Sequence, residues 1–232
     1  MVIEPAARNL WFRSLYRAAM RLWMRLRLRD YGRLRVEEVA GTAIIVLPGV
    51  FNGVLLRTGA FLATTLDANL VPPGDYVLDL GTGSGIGALF AARWASRVLA
   101  TDVNPEAVRC AQINALAHHL EHKIESHCGD LFEPVGSERF DLVLFNPPFY
   151  RARPRDMADH AWRSPDAFDR FLHELPQHLN PGGRALVVLS TDGDIRAALS
   201  SAKHLDVRAL VSRDLINEIL TVYQLQNPEE RA

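Results

Sequence analysis

The chain has 232 residues, of which 48% are hydrophobic and 23% charged, so it can bury a substantial core in one large domain, with or without an extension. Its two cysteines are too few for a disulfide framework and lack the grouped spacing of a zinc site, which predicts an intracellular, cytoplasmic protein. No apolar run approaches the roughly 20 residues that a transmembrane helix needs.

The net charge of −1 conceals a strong asymmetry. Residues 1–35 contain nine Arg and two acidic residues, a local balance of +7 that leaves −8 for the rest of the chain. Over residues 9–28, apolar residues recur at helical spacing while Arg recurs every four positions on another face. We therefore predict an Arg-rich amphipathic helical extension over residues 1–40 and a second domain over residues 41–232. The apolar positions are Trp11, Leu15, Ala18, Leu22 and Leu26, and the basic ones are Arg13, Arg17, Arg21 and Arg25.

Several partners fit such a helix. Its apolar face could pack on its own domain or on a neighbouring subunit, and its basic face could bind an anionic membrane surface or RNA phosphates. An organellar transit peptide is disfavoured by Glu4, by Pro5 and by the scarcity of Ser. The sequence leaves the partner of this helix and the oligomeric state open.

The rest of the chain predicts an α/β domain. Apolar runs on either side of Gly41 predict a β-hairpin over residues 33–47, which a helix over about 57–70 should follow. Short strand-like runs then alternate with helical patterns, which implies right-handed β-α-β crossovers and a Rossmann-like, doubly wound, mostly parallel sheet. Predicted strands cover 75–80, 97–101, 123–128, 140–146, 184–190, 205–211 and 218–225; predicted helices cover 84–94, 105–118, 165–179 and 193–202. A turn over residues 180–183, Asn-Pro-Gly-Gly, is expected before the strand that begins at residue 184.

A glycine-rich loop follows the first of these strands, in the stretch DLGTGSG that begins at Asp79. Glycines allow a sharp turn and a close approach of the backbone to a ligand. The next strand ends at Asp102, about twenty residues after the loop, where a carboxylate can accept both ribose hydroxyls of a nucleoside. Asp79 would repel a pyrophosphate but suits a cation with an ammonium and a sulfonium. A purely structural alternative remains, in which the glycines serve helix packing and Asp102 caps the following helix.

The strand over residues 140–146 ends in the sequence Asn-Pro-Pro-Phe-Tyr. Proline cannot donate a ladder hydrogen bond, so Pro147 and Pro148 explain why the strand ends near Asn146. They explain neither the amide nor the aromatic rings of Phe149 and Tyr150. The structural alternative is a turn whose rings close the edge of the core.

The stretches DLGTGSG, TDVNPEAV, GDLF and FNPPF, in this order and after successive strands, resemble the motifs of class I S-adenosylmethionine-dependent methyltransferases. The resemblance covers residues 40–226 and implies a seven-stranded sheet whose last strand is antiparallel. It implies S-adenosylmethionine as cofactor, with Asp79 near the methionine end, Asp102 on the ribose and Asp130 near the adenine. The cofactor-binding residues that it implies are Asp79, Gly81, Thr82, Gly83, Gly85, Asp102, Val103, Asp130, Leu131 and Asn146.

Asn-Pro-Pro followed by an aromatic residue resembles the catalytic motif of amino-methyltransferases that act on a planar nitrogen. This implies catalysis by Asn146, Pro147, Pro148 and Phe149. The Asn146 side-chain oxygen and the Pro147 carbonyl could each accept one N–H of the acceptor and direct its lone pair to the methyl group. Phe149 and Tyr150 are expected to bind the substrate by packing on its flat surface.

The expected acceptor is a protein glutamine amide, as in HemK-type enzymes, whose pocket-closing Thr has its nearest counterpart in Thr58. The chain differs from those enzymes in having Arg57 where an acidic residue is usual, and an Arg-rich extension where they have a helical recognition domain. Adenine N6 of RNA or DNA, a small-molecule amine and a scaffold subunit without catalysis remain as alternatives. No metal is expected, because His118, His119, His122 and His127 lack a closed ligand set.

Overall fold

The computed structural model describes residues 32–193, 195–216 and 218–228, so the predicted amphipathic helix over residues 9–28 lies outside the described residues. The described chain begins with an antiparallel hairpin of β1 (Arg35–Val39) and β2 (Thr42–Val46), as predicted. Ala40 and Gly41 form its turn with positive φ angles of 46° and 74°, which suits a two-residue hairpin loop. The predicted domain boundary falls between these two turn residues.

Seven strands form the main sheet in the order β5-β4-β3-β6-β7-β9-β8. The first five in this order are parallel, and β9 runs antiparallel to both of its neighbours. The predicted seven-stranded sheet with an antiparallel last strand is therefore confirmed. The strands are β3 (Tyr76–Leu80), β4 (Arg97–Asp102), β5 (Ile124–Cys128), β6 (Phe140–Phe145), β7 (Leu179–Ser190), β8 (Asp206–Asp214) and β9 (Ile219–Gln226).

Helices cover both faces of this sheet, because its central strands are apolar on both sides. On β6, Leu142 and Leu144 pack on one face, while Val143 and Phe145 pack on the other. The longest helix in the described ranges has 13 residues, and none there is long and apolar enough to cross a bilayer. The helices are α1 (Thr58–Thr65), α2 (Ile86–Ala91), α3 (Pro105–Ala117), α4 (Ala167–Glu174) and α5 (Ile195–Ser201).

Helix α1 ends five residues earlier than predicted. Leu66 is already extended, and the Asp67 carboxylate accepts the backbone N–H groups of Asn69 and Leu70. An Asp that bonds to the backbone two and three residues ahead favours a turn over a continued helix. The side chain of Asp67 thus turns residues 67–70 away from the helix that apolar spacing alone predicted.

Strand β7 differs from its prediction in the opposite direction. It begins at Leu179, and the four residues expected as a separate turn form an irregular bulge between Leu179 and Arg184 in its pairing with β6. A Cβ on Gly183 would lie 2.8 Å from the carbonyl oxygen of Phe140, so only glycine fits this close approach.

Candidate active site

The carboxyl ends of β3 and β6 place the glycine loop beside the Asn-Pro-Pro motif. Leu80 pairs with Phe145 in the parallel register, so Gly81 and Asn146 leave the sheet side by side, at the point where the strand order reverses. Two cavities, of about 110 Å³ and about 30 Å³, open at this edge. They share four lining residues, Phe51, Gly81, Gly83 and Asn146.

The glycine loop needs its glycines for backbone conformation and for space. Gly81, Gly83 and Gly85 have positive φ angles of 65°, 55° and 82°. At Gly85 a Cβ would lie 2.9 Å from the Cα of Ala111, so this glycine also allows the start of α2 to approach α3. Gly83 donates its backbone N–H to Asp102 over 2.9 Å, which links the loop to the next strand.

Asp79 is a buried carboxylate that lines the smaller cavity. Its Oδ2 accepts hydrogen bonds from Thr82 Oγ1 at 2.6 Å and from the Ala88 backbone N–H at 2.8 Å. Burial raises the pKa of Asp79 to about 6, the two hydrogen bonds oppose this shift, and the charge of Asp102 adds to it. A Cβ on Gly87 would lie 2.4 Å from Asp79 Oδ1, so Gly87 is required for this carboxylate to fit, a role that sequence analysis missed.

Asp102 lines the larger cavity, and both of its oxygens are held by the backbone. Gly83 N–H donates to Oδ2 and Asn104 N–H donates to Oδ1, each over 2.9 Å. Burial raises the pKa of Asp102, whereas these hydrogen bonds and the imidazole of His160 lower it. The cap of α3 is Asn104, whose side chain accepts from Glu106 N–H, so the capping role considered for Asp102 belongs to another residue.

Asp130 and Leu131 follow β5 and line the larger cavity, as does Val103. Leu131 has a positive φ of 48°. Asp130 is not isolated, because Arg170 of α4 donates from Nη2 to Asp130 Oδ2 over 2.7 Å. Sequence analysis did not foresee this ion pair.

Asn146 lines both cavities and is anchored through one end of its amide. Its Nδ2 donates to Thr58 Oγ1 at 3.2 Å, so Thr58, singled out in the sequence, lies against the motif. Its Oδ1 is buried and has no hydrogen-bond partner among the described residues. Because an unsatisfied buried acceptor costs about 1–3 kcal/mol, this oxygen is expected to bind a donor that comes from a ligand.

The rest of the motif is divided between two cavities and the surface. Pro148 lines the larger cavity and also a third one of about 40 Å³, which Pro147 and Phe149 line as well. Tyr150 lines none of these three cavities and donates its hydroxyl to Asp192 Oδ2 over 3.0 Å. The structure thus brings Asn146 and Pro148 to the larger cavity, keeps Phe149 beside the third cavity, and places Tyr150 outside all three.

Two parts of the larger cavity wall were not predicted. Phe51 lines it from the loop before α1, with its ring centroid 5.2 Å from that of Trp162 in an edge-on contact. Met157 and His160 line it from the charged loop after the Asn-Pro-Pro motif. The sequence gives no local signal for these contacts, because they depend on how two loops meet above the sheet. The histidines weighed as metal ligands lie elsewhere: His118 Nε2 is 2.6 Å from the Ala43 carbonyl, and His127 Nε2 is 2.8 Å from Glu125 Oε1.

Comparison with known proteins matches the chain to one family model and to curated relatives, all of which are described as methyltransferases. Residues 41–211 match the family model described as methyltransferase small domain. The ribosomal protein uL3 glutamine methyltransferase of Bradyrhizobium diazoefficiens is 36% identical over 121 residues, which are 46% of this chain and 38% of that protein. The ribosomal RNA small subunit methyltransferase C of Alcanivorax borkumensis is 32% identical over 184 residues, which are 78% of this chain and 51% of that protein. The chain thus spans about half the length, or less, of these curated relatives.

A solved structure supports the fold. The 16S rRNA N2 methyltransferase of T. thermophilus, in complex with AdoMet and guanosine, has a TM-score of 0.65 and 24% identity to this chain. The match covers 84% of this chain and 50% of that one.

Proposed function

The chain belongs to the methyltransferase small domain family of class I S-adenosylmethionine-dependent methyltransferases, and from this premise we propose that it methylates a planar nitrogen, the side-chain amide of a protein glutamine. The observation that carries the proposal is the buried, unpartnered Oδ1 of Asn146, which lines both cavities at the ends of β3 and β6.

The two cavities fit S-adenosylmethionine, which when bound supplies a methyl group from its sulfonium. Asp79 offers a desolvated carboxylate for the cationic methionine end, in the cavity that Gly81, Thr82 and Gly83 also line. In the same cavity Ser84 Oγ is buried, with no partner among the described residues, and Thr101 Oγ1 is in the same state in the larger cavity. Unpaired polar atoms at both ends suit a ligand with polar groups at both ends. We propose Asp102 and Val103 for the ribose, Asp130 and Leu131 for the adenine, and Gly85 for the turn that shapes the loop.

The proposed chemistry uses Asn146 to orient the acceptor. An amide or aromatic amine nitrogen is a poor nucleophile, because its lone pair is delocalised. An acceptor N–H that donates to Asn146 Oδ1, together with a second N–H that donates to the Pro147 carbonyl, turns the lone pair out of the plane and toward the methyl group. The Thr58 hydroxyl accepts from Nδ2 and so holds the Asn146 amide in this orientation. No strong base is required before transfer, because the proton leaves the cationic product afterwards.

Glutamine is the favoured acceptor because a relative that is 36% identical over its matched segment is named for glutamine methylation of a ribosomal protein. The acceptor would approach beside Pro147, Pro148 and Phe149, which line a separate cavity of about 40 Å³.

An exocyclic amine of an RNA base, adenine N6 in particular, is the second candidate acceptor. The relative that matches the larger share of this chain, 78%, is named for ribosomal RNA methylation. The Arg-rich segment before residue 36 could bind phosphates. Phe149 would then stack on the base.

The test uses the purified chain with tritiated S-adenosylmethionine and, in separate reactions, ribosomal proteins, release factors and total RNA. We expect label in a protease-sensitive fraction from which complete enzymatic digestion releases N5-methylglutamine, and acid hydrolysis releases labelled methylamine. Label that digestion releases as a methylated nucleoside would replace this proposal with the second candidate. Absence of transfer to all three, from a chain that binds the donor, would overturn both.

A further inference from the structure

Asp130 lies at the rim of the larger cavity, where it meets the cation of Arg170. The two side chains are 47% and 40% exposed, and the ion pair uses one carboxylate oxygen, Oδ2. Within the described ranges, no group donates to the other oxygen, Oδ1. The pair therefore leaves Asp130 with one oxygen fixed and one available to a ligand in the cavity.

Helix α4 holds Arg170 in a fixed position. Asp169, which precedes Arg170, accepts two hydrogen bonds from Arg151, at 2.5 and 2.9 Å. Phe171, which follows Arg170, is completely buried in the core. Asp166, the N-cap residue of α4, has its Oδ1 3.9 Å from Arg170 Nη1 and adds a second negative charge beside the guanidinium. Because the guanidinium is already paired with Asp130 and lies beside Asp166, it loses less further freedom when a ligand arrives than an unpaired one would.

We propose that Arg170 is a positioning residue of the methyl-donor site, which holds Asp130 in the rotamer whose Oδ1 accepts the amino group of adenine. This inference rests on the proposed function. A purine that covers Asp130 strips water from the carboxylate, and burial of an unpaired charge is unfavourable. Arg170 keeps that charge paired while the adenine covers it, so donor binding should depend on Arg170 although it makes no contact with the reacting atoms.

The test compares Arg170→Ala with Arg97→Ala as a matched control, because Arg97 forms an ion pair of similar geometry and exposure with Glu125 on the outer strand β5. For Arg170→Ala we expect the Kd for S-adenosylhomocysteine and the KM for S-adenosylmethionine to rise by about three- to tenfold, with kcat at saturating donor unchanged. Arg97→Ala should leave all three unchanged. Arg170→Gln, which retains most of the stem, provides the same test if the Ala variant folds poorly.

A double-mutant cycle separates positioning from a general effect on the fold. In an Asp130→Asn background there is no carboxylate to neutralise, so Arg170→Ala should cause no further loss of affinity. An equal loss in that background, or unchanged or tighter binding in the single variant, would overturn the inference while leaving the donor site in place. If the wild-type chain binds neither S-adenosylmethionine nor S-adenosylhomocysteine, the proposed function itself fails.

Discussion

Replacement of Asn146 should separate donor binding from turnover. Its Oδ1 is the buried acceptor that we assign to the nitrogen of the substrate, and its Nδ2 is held by Thr58. In Asn146→Ala we expect kcat to fall by at least about 100-fold, because the lost hydrogen bond acts mainly in the transition state. The Kd for S-adenosylhomocysteine, measured by calorimetry, should change little.

Thr58 supplies the control pair for this prediction. Thr58→Ser keeps the hydroxyl that accepts from Asn146, whereas Thr58→Val keeps the shape and removes it. The Val variant should be slower than the Ser variant at saturating donor. Methylation by Asn146→Ala at the wild-type rate would exclude the proposed role of this amide.

The buried carboxylate of Asp79 is expected to lower the free energy of unfolding at neutral pH, although it contributes to binding of S-adenosylmethionine. Its folded pKa of about 6 lies above the ordinary pKa of 3.8 for an aspartate, so the folded protein binds this proton more tightly than the unfolded chain does. The free energy of unfolding should therefore fall as pH rises from about 4 to 6, by up to roughly 3 kcal/mol from this group. Asp79→Asn removes that penalty and should be more stable than the wild type at pH 7.5, although it binds S-adenosylmethionine poorly.

Urea unfolding of the wild type and of Asp79→Asn at several pH values tests the direction of this stability difference. The advantage of Asp79→Asn should disappear at about pH 3, below the pKa of the unfolded chain, where the wild-type carboxyl is protonated in both states. A wild type that is more stable than the variant at pH 7.5 would show that the hydrogen bonds from Thr82 and Ala88 outweigh the desolvation of Asp79.

Single residues of the site were predictable where chain order fixed their place. Asp79 and Asp102 lie at the carboxyl ends of parallel strands and Asn146 directly follows one, and such strand ends meet at one edge of a sheet. Phe51 and His160 were not predicted as part of the site, since they reach the cavity from loops whose path no periodicity describes. The charge partner of Asp130 was missed for the same reason: it lies 40 residues ahead, on a helix that follows a long loop.

At the scale of elements, apolar periodicity predicted which elements form, and polar or glycine contacts decided where they end. The Asp67 turn shortened α1, and the close approach at Gly183 carried β7 through residues predicted as a turn. Neither contact is visible in the apolar pattern. The mostly parallel sheet followed from the alternation of strands and helices, and its antiparallel last strand from the resemblance of the motifs, so neither depended on these boundaries.

The packing of α2 against α3 depends on Gly85. An added Cβ would lie 2.9 Å from the backbone of Ala111 and would also have to adopt a φ of 82°. Gly41 is the matched control, because it has a φ of 74° with nothing within 4 Å of an added Cβ. We expect Gly85→Ala to lower the free energy of unfolding by about 1–3 kcal/mol more than Gly41→Ala does, since only the former adds a clash to the backbone strain. Urea midpoints at constant m-value measure the difference, and equal losses would show that α3 moves aside at little cost.

At the scale of the whole molecule, positive charge is concentrated before residue 36, while residues 36–232 carry a net charge of −8. An RNA acceptor would have to overcome repulsion from the larger part of the chain and would depend on the Arg-rich segment. A log-log plot of its affinity against salt should then have a slope of about −0.7 for each phosphate neutralised on a single strand. A protein glutamine acceptor requires no such dependence.

We therefore expect methylation of a protein acceptor to change little with salt and to survive replacement of Arg13, Arg17, Arg21 and Arg25 by Gln. These four residues lie outside the described part of the structure, so the expectation rests on charge alone. The measurement is kcat/KM for the protein acceptor between about 50 and 200 mM salt, in the wild type and in the fourfold variant, a range over which several phosphate contacts would lower affinity by orders of magnitude. S-adenosylmethionine affinity, which we assign to the cavities at the strand ends, is the internal control. A steep wild-type salt slope that flattens in the fourfold variant would identify a phosphate partner and favour the RNA acceptor. The acidic residues 36–232 repel phosphates, so an attraction that added salt weakens must come from the Arg-rich segment.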